Sequence, residues 1–208
     1  METYDSIKKA AEAVSGQVLL ARRTLHANPE LSFEERETSR YVADCLREAG
    51  IEFRPIAGTG VLARIEGRGD LRRCVVLRAD MDALPIEEKT GLEYASRNKG
   101  VMHACGHDVH TACLLGAMLV LKRMSERIEG TVFGLFQPGE GAFQLAAVDH
   151  GNGGKVGNAG QGADGQCFNA AVAYAVHQGG ILFQLVVQQI LHGDKPTEFL
   201  ENRSRRAA

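Results

Sequence analysis

The apolar positions change period several times along the chain. Over residues 5–28, Ile7, Ala10, Ala11, Val14, Val18, Ala21 and Leu25 recur at roughly helical spacing, which predicts an amphipathic helix. Asn28-Pro29 ends it, because a residue before proline is driven out of the helical region. Ser32 with Glu35 three positions on has the form of a capping box, which predicts a second helix over residues 32–47, closed by Gly50. Residues 61–66 and 74–78 (CVVLR) read as strands, the latter buried. A loop follows over residues 80–107. Residues 109–128 then read as a long helix with Leu114, Leu115, Met118, Leu121 and Met124 on its apolar side, and Gly130 after it. Residues 131–137 (TVFGLFQ) are a further strand. Strands alternating with helices predict an α/β fold, with helices flanking a mixed or mainly parallel sheet. No internal repeat is seen.

The pattern breaks after Glu140. Residues 1–140 carry 40 charged side chains, whereas residues 141–193 carry three, Asp149, Lys155 and Asp164, and hold 11 of the chain's 24 glycines. HGNGGKVGNAGQGADGQ has neither helical nor strand period, so it offers little apolar surface to offset the entropy cost of ordering it. Residues 181–191 (ILFQLVVQQIL) are apolar again, as a strand or short helix would be, and ENRSRRAA is a polar tail. The expectation is two regions: residues 1–140 as the folded part, and residues 141–208 as a divergent, Gly-rich, poorly ordered segment and tail.

Bulk properties remove some function classes. A net charge of −2 does not suit a nucleic-acid or anionic-membrane partner. No apolar run approaches the roughly 18 residues of a membrane span. METYDSIKKAAEAV lacks the apolar centre and cleavage site of a signal peptide. Five cysteines without regular spacing do not make a disulfide framework, so the expected location is a reducing cytoplasm.

Candidate chemistry collects at three loops. Asp80 and Asp82 stand at the end of the buried strand, where open α/β sheets hold ligands; solvated turn aspartates are the plainer reading. In GVMHACGHDVHTA, Cys105 and His107 flank Gly106, and a thiolate and an imidazole two apart can face one cation. His110 lies one turn beyond His107 and could support it; a few satisfied polar groups at a helix start are the alternative. Glu140 follows a buried strand and Pro138-Gly139, a natural seat for a general base, or simply a surface turn. Together these groups favour a metal hydrolase. Two rivals stand beside it: a thiol hydrolase with Cys105 as nucleophile and His107 or His110 as base, and a non-catalytic metal-binding fragment or interaction module.

RRTLHANPELSFEERETSRYVADCLREAGIE, VVLRADMDALPIEE, GVMHACGHDVHTA and FQPGE resemble, in order and spacing over about residues 15–140, successive blocks of the zinc-dependent aminoacylase and carboxypeptidase family. The branch resembled is that of N-acyl-amino-acid amidohydrolases, the hippurate hydrolase and auxin-conjugate hydrolase type. The resemblance implies a zinc-exopeptidase-like catalytic domain with two divalent metals (zinc, manganese, cobalt or nickel). Cys105 and His107 fall on metal ligands, Asp80 on a supporting carboxylate, and Glu140 on the general base. The implied substrates are small N-acyl amino acids or short peptides.

Beyond Glu140 the sequence departs from that pattern. Gly141 stands where the family has a second glutamate that is itself a ligand. Tyr174-Ala175-Val176-His177 resembles the short strand bearing the family's next histidine ligand, which makes His177 a candidate. The family's smaller dimerisation domain and its last histidine ligand have no counterpart here. A truncated chain whose reading frame changes near Glu140, with weak or absent turnover, is the resulting expectation.

Overall fold

The computed structural model describes residues 2–139. Glu140, His177 and the whole of residues 141–208, with the disorder expected of them, lie outside the described residues.

The first helix, α1, spans Glu2–Ala27, three residues longer at its start than the periodicity predicts. Asn28 closes it: its side-chain amide donates to the Thr24 carbonyl at 2.7 Å and its backbone N–H to Leu25 at 3.1 Å, satisfying carbonyls the helix leaves open. Its buried stripe includes Val14, Ala21, Leu25 and His26, while Leu19 and Leu20 face outward.

The second helix, α2, spans Arg36–Glu48, and here the capping-box expectation fails. Glu35 occupies the N-cap position without a side-chain cap bond. Ser32 and Glu35 both hydrogen-bond to distant segments instead. Glu30 does the capping: its carboxylate accepts the N–H groups of Glu37 at 3.2 Å and Thr38 at 2.8 Å, which a helix start cannot pair internally. The other end follows expectation. Gly50 takes φ +64°, and the N–H groups of Gly50 and Ile51 return to Arg47 and Leu46.

Four strands form one mixed sheet: β1 (Glu52–Ile56), β2 (Gly60–Glu66), β3 (Cys74–Asp80) and β4 (Thr131–Gln137), in the order β1-β2-β4-β3. β1 is not foreseen in the sequence. It is a half-exposed edge strand containing Pro55, so it carries neither an apolar run nor a clean alternation. It turns back through Ala57 (φ 46°) and Gly58 (φ 80°) to pair antiparallel with β2. β2 pairs antiparallel with β4, and β3 pairs parallel with β4.

The third helix, α3 (His107–Arg123), links β3 to β4, completing a strand–helix–strand crossover after a short 3-10 turn at Ser125–Arg127. Residues 109–128 read as one helix from periodicity are thus a helix that starts earlier and stops sooner. All seven residues of β4 are buried, as the central position of the strand requires. On one face Val61, Ala63, Ile65, Val132 and Phe136 meet Leu114, Leu115, Met118 and Leu121 of α3, with Val42 and Leu46 of α2. Each buried Val, Leu, Ile, Met or Phe side chain among these contributes roughly 1.5–3 kcal/mol. Leu62, Val76, Phe133 and Leu135 form a second cluster through the opposite alternation of the strands. Gly134 is required by the close approach of Met118, whose Sδ lies 2.8 Å from where a Cβ would stand.

The parallel register sets Asp80 beside Gln137. Both strands therefore deliver their carboxyl ends to one rim of the sheet. Residues 81–106 form the long connection from the end of β3 to α3, tied down by an antiparallel bridge between Leu84 and Met102 and by Arg97 N–H donating to Ala27 at 2.9 Å.

Candidate metal centre

Three side chains meet at this rim. One ligand atom each of Asp80, His107 and His110 lie within 4.8 Å of one another. β3 ends in Asp80, and α3 begins at His107, so the strand end and helix start converge. Gly106, at φ 86°, makes the left-handed turn into α3 that no side-chain-bearing residue takes cheaply. His107 and His110 then share a helix face, their ring centroids 5.6 Å apart. Thr111 donates to the Asp80 carbonyl at 2.9 Å and pins the helix start to the strand.

Asp82 orients His107. The ring Nδ1 lies 2.9 Å from Asp82 Oδ1 and 3.0 Å from the Asp82 carbonyl oxygen, which fixes the tautomer and leaves Nε2 free for a metal. Burial pushes the Asp82 carboxyl upward, but hydrogen bonds from His107 and Ser32 outweigh it, and Asp82 titrates below the usual carboxylate range. The same bond raises His107 above an ordinary histidine, against the opposing effect of burial. Asp80 behaves oppositely: burial lifts its pKa despite the nearby guanidinium of Arg78. Arg78 also donates to Gln137 Oε1 at 2.6 Å, joining the ends of β3 and β4.

His107 and Asp80 meet, joined by His110. Cys105 is exposed in the turn before α3 and is not among the three grouped atoms. The carboxylate bonded to His107 is Asp82, where the sequence reading puts the supporting role on Asp80. Glu140 and His177 lie outside the described residues. The donor set present, one carboxylate and two imidazoles of which one is held by an outer carboxylate, suits zinc and similar divalent ions.

Sequence reasoning misses the supports behind the site. Ser32 donates to Asp82 Oδ2 at 2.6 Å. Glu35, fully buried, accepts from Thr59 Oγ1 at 2.6 Å and from Gly139 N–H at 2.9 Å. Behind α3, His26 lies between two carboxylates, with Nδ1 2.7 Å from Asp108 and Nε2 3.1 Å from Glu88. Arg22 reaches the same Asp108 oxygen at 3.0 Å. His103 is buried nearby with neither ring nitrogen hydrogen-bonded, and burial chiefly holds it down to about 4, so it is neutral at pH 7. The available signal for these supports is only that polar residues recur where apolar ones are expected, as His26 does on the buried side of α1.

Residues 76–183 match the model of peptidase family M20/M25/M40, and the chain belongs to that family. It is 55% identical over 127 residues to N-acetyl-L-cysteine deacetylase of Bacillus subtilis, an alignment covering 61% of this chain and 30% of that protein. It is 45% identical over 148 residues to N-acyl-L-amino acid amidohydrolase of Geobacillus stearothermophilus, covering 71% of this chain and 40% of the relative. The crystal structure of Bacillus subtilis YXEP, described as a dinuclear metal-binding peptidase of the M20 family, superposes with a TM-score of 0.60 at 43% identity, over 65% of this chain and 38% of that one. The chain therefore spans roughly a third of the length of these relatives. No helix among the described residues is long and apolar enough to cross a membrane.

Proposed function

We propose that this chain carries part of a metal-dependent amidohydrolase site that cleaves the amide bond of N-acyl amino acids or small peptides. The observation that supports it best is the His107 ring, held through Nδ1 by Asp82 and grouped with Asp80 and His110, one ligand atom of each lying within 4.8 Å of the others. The named activities of the deacetylase and amidohydrolase relatives support the substrate class.

In this reading His107 and Cys105 would hold metal, with His177 as a further ligand and with Asp80 and His110 as candidate donors beside His107, while Asp82 keeps His107 in its binding tautomer. A divalent ion (zinc, manganese, cobalt or nickel, two in the complete site) would supply Lewis acidity and a water acidic enough to ionise near neutral pH. Glu140 would serve as the general base and then the general acid, holding a proton taken from water and returning it to the leaving amine. We place the protein in a reducing cytoplasm, in keeping with Cys45, Cys74, Cys105 and Cys113, which form no disulfide among the described residues.

Calorimetric titration with Zn²⁺, paired with assay of benzoate released from hippurate and acetate from N-acetylcysteine, tests this. The expected result is zinc binding, with slow release that Glu140→Gln abolishes while affinity is kept. Absence of zinc binding overturns the reading. Because Gly141 stands at the expected second glutamate, binding without any hydrolysis would make this chain a metal-binding module instead.

A further inference from the structure

One short loop bonds both the carboxylate behind His107 and the backbone that follows β4. Residues 28–35 join α1 to α2. The Ser32 hydroxyl donates to Asp82 Oδ2 at 2.6 Å, and Asp82 in turn fixes His107 through its other oxygen at 2.9 Å. Three residues on, the Glu35 carboxylate accepts the Gly139 N–H at 2.9 Å and the Thr59 hydroxyl at 2.6 Å. Gly139 directly precedes Glu140 in the sequence.

The fit between loop and strand end is close. A Cβ on Gly139 would stand 2.4 Å from Ser32 Cβ and 2.5 Å from its Oγ. Ser32 therefore packs against Gly139 as well as bonding the ligand-orienting carboxylate. Glu35 is completely buried, and a buried carboxylate persists only where donors meet it. Here the two donors come from the β1–β2 turn and from the segment after β4. Phe33, between them, takes φ 67°, a left-handed conformation that a bulky residue adopts only when its surroundings demand it.

We propose that the 32–35 loop positions the site, Ser32 acting through Asp82 on the metal ligand His107 and Glu35 acting through the Gly139 backbone on the segment that leads into Glu140. Neither residue touches substrate or metal. The inference rests on the metal-hydrolase reading for its consequence, but its two contacts are measurable without turnover.

The test uses the full chain, with Zn²⁺ as the probe and hydrogen exchange at the Gly139 amide as a second readout. Ser32→Ala is expected to raise the zinc Kd severalfold, less than the roughly tenfold expected from losing the ligand's direct partner, because Ser32 bonds Asp82 and not His107, and Ser32→Thr to restore it. Glu35→Ala should speed Gly139 exchange at least tenfold while leaving the zinc Kd within twofold. Glu35→Gln, which keeps a carbonyl acceptor and the side-chain volume, should recover most of the protection. An unchanged zinc Kd in Ser32→Ala, or unchanged Gly139 exchange in both Glu35 variants, overturns the proposal. Zinc binding by the wild type without hydrolysis refutes the hydrolase reading alone. No zinc binding by the wild type refutes both.

Discussion

His26 Nδ1 lies 2.7 Å from Asp108 Oδ2, although the two residues are 82 positions apart and sit on different helices. Both side chains are almost wholly buried. The contact fastens α1 to the first turn of α3, the turn that carries His107 and His110. Losing it would strand a buried carboxylate, which is far costlier than losing a surface pair. Arg22 stays at 3.0 Å from the same oxygen and limits the damage. His26→Ala should therefore lower unfolding free energy by about 1–3 kcal/mol, the cost of taking a hydrogen-bond partner from a buried group. Urea unfolding at pH 7 measures it, and a loss below about 1 kcal/mol would mean Asp108 is adequately held by Arg22 alone.

Glu88 gives the same region a pH dependence. Burial works to raise its pKa, but hydrogen bonds from Thr90, the Ser96 N–H and His26 prevail and hold it down to about 2. A carboxyl depressed on folding contributes stability that is complete above its unfolded value and disappears as pH falls through its folded value. The loss should run from about 4.5 down to about 2. Glu88→Gln removes the ionisation, so its stability curve should be flatter than that of the wild type across this window. Parallel curves measured by chemical denaturation would show that Glu88 titrates alike in both states.

These supports explain what was and was not legible in the sequence. Residues 131–137 are recovered as a strand to the residue, because TVFGLFQ is a central strand buried on both faces and reads as a continuous apolar run. β1 is lost because an exposed edge strand with Pro55 has no such run. Ser32 and Glu35 fit a local capping pattern, yet their partners Asp82 and Gly139 are 50 and 104 positions away, and spacing cannot separate a local from a distant partner. The Asp80-x-Asp82 pair shows two carboxylates at a strand end. Only the fold decides that Asp82 holds His107 while Asp80 joins the cluster.

Two helical glycines offer a sharp contrast. A Cβ on Gly16 meets nothing within 4 Å, whereas one on Gly116 would stand 2.5 Å from Val18 Cγ2, at the contact of α1 with α3. Alanine gains about 1 kcal/mol over glycine inside a helix. Overpacking against a stiff β-branched neighbour costs about 1–3 kcal/mol. Gly16→Ala should accordingly raise the melting temperature by a few degrees and Gly116→Ala lower it. If both variants raise it equally, the two helices do not approach as closely as Val18 and Gly116 require.

Metal affinity should itself depend on pH through His107. The Asp82 carboxylate keeps the His107 proton on to a higher pH than an ordinary histidine, despite the counteracting burial. That protonated ring stabilises the metal-free protein below the unfolded histidine value of 6.5, and the contribution fades as pH rises through the higher folded value. A metal must displace the same proton, so binding strengthens with rising pH over the same interval and releases protons as it does so. Asp82→Asn removes the charge that retains the proton and also the partner that orients the ring. It should shift the midpoint of the affinity–pH curve downward while lowering the plateau affinity about tenfold. Zinc titrations from pH 5.5 to 8.5 in two buffers of different ionisation enthalpy report both effects. A wild-type affinity flat across that range would place the zinc on groups other than His107.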